Sequence, residues 1–389
     1  MDAAFFIARK LRLKGQMAMI CITVSFLVMI IAVAVSSGFR REIRSGISSI
    51  SGDIMISTPD LNVLNESRSI DASPAYISRI EEMDYIQEIV PVVYRAGIVK
   101  TDDNMHGVLL KGVPEGVSPD SVALAVSIPS RLAEQSGLKL GDRMTTYFVG
   151  DRMQVRQFIV ADIYESLVET DDSHVVYASI SDLQRLNGWD GEQVSAIEII
   201  LDKGSSEELI SSVTDEVGTL INAYSSEDDA AVVATSSVSR FHQLFSWLDL
   251  IDFNVFFILL LMTIVAGFNM ISGLLIILFE NISTIGLLKS LGMTDRSIAK
   301  SFLASASVIV LKGMAAGNAL GMLFCLIQGT THLLKLDPEN YYVSFVPVHA
   351  DFGLILSADL ISFAIIMLLL LLPCIFISKV DPADTVRVR

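Results

Sequence analysis

The side chains able to do chemistry are few in this sequence, and they do not gather. Five histidines stand at His106, His174, His242, His332 and His349, none paired at i, i+4, the spacing that puts two imidazoles on one helix face around a metal. The three cysteines, Cys21, Cys325 and Cys374, all lie in apolar runs, so no disulfide framework follows from them. No C-x-x-C, H-E-x-x-H or G-x-S-x-G occurs. G-x-x-x-x-G-K-[ST] is missing too, so this chain cannot cradle a nucleotide phosphate by that loop. The sequence implies no catalytic residue, no metal and no cofactor held by this chain.

Two ionisable residues stand where few are found. Lys312 and Asp359 each interrupt a long apolar run, Phe302–Gln328 and Phe352–Ile377. At about 1.5 Å per residue, Lys312 lies roughly 15 Å from the inner end of its run and Asp359 roughly 10 Å from the outer end of its own. Across about 30 Å of hydrocarbon they then differ in depth by about 5 Å. A charge at that depth costs about 2.5–3.5 kcal/mol on insertion scales, and such groups pair or face a wet cavity. The arithmetic predicts an intramembrane ion pair, Lys312 with Asp359, as a structural tie.

Four runs are long enough to position such residues. Gln16–Phe39 carries no charge and follows Arg9, Lys10, Arg12 and Lys14; it exceeds the apolar core of a signal peptide, about 7–15 residues. Phe253–Phe279 holds 27 residues without a charge, where about 20 span the hydrocarbon core. The third and fourth runs are those just named. Gly313, Gly317 and Gly321 recur every four residues in the third, a spacing that lets helix backbones approach in lipid. Between the second and third runs, Glu280 ends the apolar stretch and Thr284–Leu291 has the pattern of a short amphipathic helix. Gly292 stops it, as glycine does where the chain turns left-handed. Thr294 or Asp295 then caps the next helix.

Composition agrees with a membrane protein. The 389 residues are 52% hydrophobic and 19% charged, with mean hydropathy +0.55, outside the usual soluble range. The net charge of −16 argues against a nucleic-acid surface. Residues 39–246 hold 33 acidic and 16 basic residues, so the acidity lies in one soluble region. The flanks differ: +3 over residues 1–16, +1 over 280–301, +1 over 379–389 and −2 over 329–351. Basic segments stay inside, which puts both termini in the cytoplasm and the acidic region outside. The soluble region is mixed α+β. Strands are expected at 52–57, 89–100, 105–112, 144–149, 154–163, 174–177 and 194–201. Helices are expected at 74–83 (Ser73 as cap), 129–136, 181–186 and 206–220 (Ser205 as cap).

The stretch ENISTIGLLKSLGMTDRSIAKSF resembles the cytoplasmic coupling segment of the FtsX/MacB/LolC-LolE permeases of ABC transporters. FSWLDLIDFNVFFILLLMTIVAGFNMISGLLIILFE, SRLAEQSGLKLGDRMTTYFV and LDPENYYVSFVPVHADF are most similar to the lipoprotein-releasing permeases, LolC and LolE. The resemblance implies four transmembrane helices with a large extracytoplasmic α+β domain between the first two. The chain would divide into residues 1–39 (cytoplasmic start and first span), 40–246 (MacB-like periplasmic core domain) and 247–389 (FtsX-like permease domain with coupling segment 280–301). It implies an inner-membrane subunit that couples ATP hydrolysis by a separate LolD-like ATPase, which holds the ATP and Mg, to release of lipoproteins. A second permease subunit, as homodimer or heterodimer, and a periplasmic carrier would be further partners. The ATPase contact would fall on Glu280, Ile285, Gly286, Leu287, Leu288, Lys289, Leu291 and Gly292. A lipid path would follow the Met- and Phe-rich faces of the first two spans, Met19, Phe26, Met29, Phe256 and Met262. One departure stands out: the turn Gly150-Asp151-Arg152 is short and lacks the proline-bearing hook of LolC-type subunits, so this hairpin is not expected to bind a LolA-type carrier. The other activities in this superfamily are FtsX-type control of a periplasmic partner and MacB-like efflux.

The charge pattern gives a first test. In intact cells Asp103→Cys and Glu339→Cys are expected to react with impermeant thiol reagents and Ser290→Cys to stay unlabelled. Labelling of Ser290→Cys would reverse the topology.

Overall fold

The computed structural model describes residues 16–59, 68–100, 105–114, 124–149, 153–166, 174–202, 205–225, 230–337 and 341–378. Among them are four helices long and apolar enough to cross a membrane, Gln16–Ser51, His242–Glu280, Asp295–Thr331 and Phe352–Ile375. Three of these helices continue well past the uncharged runs. The first runs on beyond Phe39 to Ser51 and the second starts at His242. Hydropathy marks the length in lipid, but a helix ends only where its backbone finds other partners. The fourth divides into Phe352–Leu369 and Leu371–Ser378. Pro373 explains the break, because its ring crowds the carbonyl four residues back, that of Leu369.

The chain forms two compact units, one holding the four spans and the other holding Glu42–Ser246 with Leu336–Ser344. In the membrane unit the core is built from Ile22 and Phe26 of the first helix, Met270 and Leu274 of the second, Phe302 and Val310 of the third, and Ile366 of the fourth. The glycine stripe of the third helix packs on the first. A Cβ at Gly317 would stand 2.7 Å from the Thr23 carbonyl oxygen, and one at Gly321 would stand 2.8 Å from the Ile30 Cγ2. Small residues at this seam replace the hydrophobic drive that lipid cannot supply.

Among the described residues the other unit has eleven strands: β1 (Ile54–Ser57), β2 (Ile70–Asp71), β3 (Ile86–Lys100), β4 (Met105–Val113), β5 (Ala125–Pro129), β6 (Arg143–Phe148), β7 (Gln154–Tyr164), β8 (His174–Ser179), β9 (Gln193–Val194), β10 (Ala196–Leu201) and β11 (Val233–Ser236). Nine form one sheet in the order β11-β1-β10-β3-β4-β8-β5-β7-β6, and a further β3–β6 pairing closes six of them into a ring. The long β3 makes this possible, pairing with β10 through Ile86–Val92 and with β4 through Val93–Lys100. Helix Glu207–Tyr224 buries Ile210, Val213, Val217 and Ile221 against this unit's core.

Most elements fall where the periodicity puts them, and several differ. The cap of helix Glu207–Tyr224 is Ser206, which accepts from Leu209 N at 3.2 Å, in place of Ser205. The helix expected over 74–83 forms only at Ile77–Glu81, since Pro74 begins a turn closed by Ile77 N to Pro74 O. Strands β5 and β11 carry no alternation to announce them: all five residues of β5 are buried, the pattern of an inner strand rather than a half-exposed one. The hairpin tip at residues 150–152 lies outside the described residues.

The glycine seam is directly testable. Gly317→Ala meets backbone atoms and is expected to cost about 1–3 kcal/mol by overpacking, seen as a lower unfolding midpoint in detergent. Gly321→Ala meets a side-chain methyl and should cost less. Equal tolerance of both would contradict the packing.

Candidate functional site

The segment after the second span is built to present one helix face. Helix Ile282–Ser290 ends in paired reverse bonds, Met293 N to Leu288 O at 3.0 Å and Gly292 N to Lys289 O at 2.9 Å. Gly292 has φ +87°, the left-handed turn that closes a helix in this way. Thr294 stands at the N-cap of the third membrane helix, and Lys289 Nζ bridges to Asp295 at 2.9 Å. The short helix is thus locked to the start of the next one. Ile285 and Gly286 are buried, Ile285 in the bundle core with Leu288 packed against it. The face turned away from the bundle carries Leu287, 56% exposed, and Leu291, 75% exposed. Of the residues expected at the ATPase contact, Ile285 and Gly286 are thus buried, while Leu287 and Leu291 are exposed. Glu280 is exposed just before the helix.

Inside the membrane unit the expected ion pair is absent. Asp359 is buried and accepts from Asn318 Nδ2 at 2.5 Å. Lys312 is exposed on the outer side of the third helix, with no ion-pair partner among the described residues. Depth arithmetic places residues along a helix axis but not around it. Lys312 precedes Gly313 by about 100° of rotation, so it leaves the seam that Gly313 enters. Its long stem can carry the ammonium toward the interface. A second polar contact, Thr263 Oγ1 to Ser362 Oγ at 2.9 Å, ties the fourth helix to the second. Asp359 and Ser362 share the fourth helix's buried face with Ile355 and Ile366.

The five residues of the expected lipid path do not share a surface. Phe26 and Met29 are buried in the bundle core, Met19 and Met262 are half-buried, and only Phe256 is exposed, beside Phe253 and Phe257. Phe26 and Met29 are core residues, since the third helix covers that side of the first.

Two polar clusters are illegible in the sequence. In the membrane unit, Arg40 of the first helix reaches Asp249 at 2.8 Å and Asp252 at 2.6 Å on the second, and Ser36 donates to Asp252. The loop before the fourth span returns to the same helix. Ser37 Oγ donates to His349 O at 2.6 Å, and Gly38 leaves no room for a Cβ beside the Pro347 carbonyl. These partly exposed pairs are worth about 0–1 kcal/mol each, so their role is alignment.

In the other unit a buried cluster receives the end of the first membrane helix. Lys111 Nζ donates to Ile50 O at 2.8 Å and Ser49 O at 3.4 Å, and bridges to Glu198 at 2.8 Å. Tyr94 OH donates to the other Glu198 oxygen, Tyr177 OH donates to Ser49 O at 3.3 Å, and Arg240 Nη2 donates to Ser51 O at 3.1 Å. Burial, with Glu198 beside it, pushes the Tyr94 hydroxyl well above the usual phenol range. The same two causes raise Tyr177 to about 12. Both hydroxyls therefore keep their protons and remain donors at neutral pH. Burial lowers Arg240, with Tyr94 and Glu198 opposing it. Asp53 adds a second anchor, accepting from Leu201 N at 3.0 Å and Ser48 Oγ at 3.1 Å. The signal that could have located this cluster is a lone charge inside an apolar strand, Lys111 after Leu109-Leu110 and Glu198 between Ile197 and Ile199. No group of three or more metal-ligating side chains occurs among the described residues.

Comparison with known proteins gives two family matches. Residues 17–217 match the MacB-like periplasmic core domain and residues 256–382 match the FtsX-like permease C-terminal domain. The "Lipoprotein-releasing system transmembrane protein LolC" of Neisseria meningitidis is 22% identical over 385 residues, covering 92% of this chain and 90% of its own. The "Lipoprotein-releasing system transmembrane protein LolE" of Haemophilus influenzae is 20% identical over 407 residues, covering 96% of this chain and 94% of its own. Among solved structures, the periplasmic region of MacB from Actinobacillus actinomycetemcomitans aligns at 15% identity over 51% of this chain and 95% of that one, with TM-score 0.31.

The polar tie in the bundle gives the next test. Asn318→Leu removes the partner of a buried carboxylate and is expected to cost about 1–3 kcal/mol, read as lower membrane abundance and unfolding midpoint. Lys312→Met should change neither. The exchange Lys312→Asp with Asp359→Lys should recover nothing over the single variants; recovery would restore the ion pair.

Proposed function

We infer function from a chain that belongs to the MacB-like periplasmic core domain family and carries an FtsX-like permease domain. It is thus a permease subunit of an ABC transporter, and from that premise we propose that it releases lipoproteins from the inner membrane toward the outer one. The observation that carries this reading is the correspondence to lipoprotein-releasing relatives over nine-tenths of the chain in both directions. In this reading both termini and helix Ile282–Ser290 face the cytoplasm, and the sheet unit faces outward. A separate ATPase closes on ATP and presses on the Leu287–Leu291 face. The first two spans carry the displacement outward, and a second permease subunit completes the transporter. Such coupling needs an element with two positions, biased by nucleotide at one end and by cargo at the other.

Mild-detergent purification of the tagged chain, with identification of copurifying proteins, tests the assignment. An ATP-binding subunit and acylated proteins are expected. A cell-wall hydrolase without acylated proteins would favour FtsX-type control, and small-molecule resistance lost on deletion would favour efflux. The coupling face has its own test. Leu287→Asp and Leu291→Asp each place a charge in an apolar interface and are expected to cost about 2 kcal/mol or more of binding, so the ATPase is lost while membrane abundance holds. Ile285→Asp should lower abundance itself, because that residue is bundle core. ATPase retention in both leucine variants would refute the contact.

A further inference from the structure

A helix that ends in water leaves its last carbonyls to solvent. The first membrane helix ends differently. The carbonyls of Ser49, Ile50 and Ser51 are taken by Tyr177, Lys111 and Arg240. Two of these donors are cations, the sign that suits the negative end of a helix dipole. Lys111 is 4% exposed and its partner Glu198 is 2% exposed, so the ammonium is gripped between the helix end and a buried carboxylate. Tyr94 donates to that carboxylate from the other side. The chain then reverses at Gly52, with φ +64°, where a Cβ would stand 2.9 Å from the Glu198 Cβ. Arg240 stands two residues before His242, where the second membrane helix begins. One cluster therefore holds the end of one spanning helix and the approach to the other.

Stability alone does not account for a buried ion pair, because replacing both charges by apolar groups of similar size is often neutral or stabilising. What such a pair supplies in some proteins is one geometry in place of several. We propose that Lys111, Glu198 and Arg240 are positioning residues for transport. They form a rigid seat through which strands β4 and β10 follow the first membrane helix when it moves. The proposal rests on the transport reading only for what moves the helix. Lys111 lies in β4 and Glu198 in β10, neighbours of β3 on its two sides, so displacement at the seat enters the middle of the sheet. Without the seat, the freed helix end would absorb the movement.

The test uses the full chain with its copurified ATPase in nanodiscs. Lys111→Met combined with Glu198→Leu removes both charges at similar volume, and Lys111→Arg keeps the charge and donors. In the double variant ATP hydrolysis should hold, and the unfolding midpoint should fall by no more than the loss of the Tyr94 hydroxyl's acceptor, a loss that Tyr94→Phe added to the pair removes. Amide exchange over residues 46–51 should quicken about tenfold, the loss of about one hydrogen bond. The ATP-dependent change of exchange in Val108–Val113 and Ala196–Leu201, present in the wild type, should disappear. Release of acylated protein per ATP should fall about fivefold or more. Lys111→Arg should restore these readouts. The seat is overturned if the double variant keeps wild-type exchange and release, if its losses track a lowered unfolding midpoint, or if the wild type shows no ATP-dependent change in the two strands. A wild type that releases no acylated protein fails the transport reading alone, and the nucleotide-dependent exchange still decides the seat.

Discussion

Backbone carbonyls at a helix end need donors, and the first membrane helix meets this requirement inside protein. It continues past Phe39 to Ser51, where Lys111, Tyr177 and Arg240 receive its last carbonyls. Those donors need partners of their own, which brings a carboxylate, Glu198, into a strand that is otherwise apolar. The sheet register then follows: β10 sits between β1, which continues from the helix, and β3, whose far half pairs with the strand bearing Lys111. At its other end the same helix is fixed by shape. Gly313, Gly317 and Gly321 press the third span against it at backbone distance. One helix is thus gripped by charge at one end and by close packing at the other.

Two polar contacts within the bundle follow the rule of lipid interiors, where a buried polar group seeks a partner in protein. Asp359 finds Asn318, and Thr263 finds Ser362. These contacts place three helices around one another without a hydrophobic drive. The short helix Ile282–Ser290 is handled in the opposite way. One side is sunk in the bundle core and its end is locked by Lys289 to Asp295, while Leu287 and Leu291 stay uncovered.

Much of this was legible. The four spans show because long apolar runs have few alternative fates, β6 shows because it alternates, and β3, β4 and β7 show because turn residues bound them. Strand β5 does not, being buried on both faces. The short helix was legible as an element, but its orientation was not: Ile285 with Leu288 and Leu287 with Leu291 are two apolar faces, and sequence alone does not say which is covered. The ion pair failed for a related reason, since Lys312 has the right depth and the wrong azimuth. The seat was invisible because its partners come together only in the finished sheet, with Lys111 and Glu198 separated by 87 positions. The family resemblance singled out segment 280–301, and the structure shows which of its faces is exposed.

In the proposed role, ATP hydrolysis by a partner drives acylated protein out of the bilayer through this chain. Reconstitution tests it most directly: proteoliposomes holding the chain, its ATPase and an acylated protein, with a soluble acceptor outside. Transfer of the acylated protein to the soluble fraction is expected with ATP and Mg, and none with a non-hydrolysable analogue. Transfer that proceeds equally without hydrolysis, or no transfer from a complex that hydrolyses ATP, would contradict it.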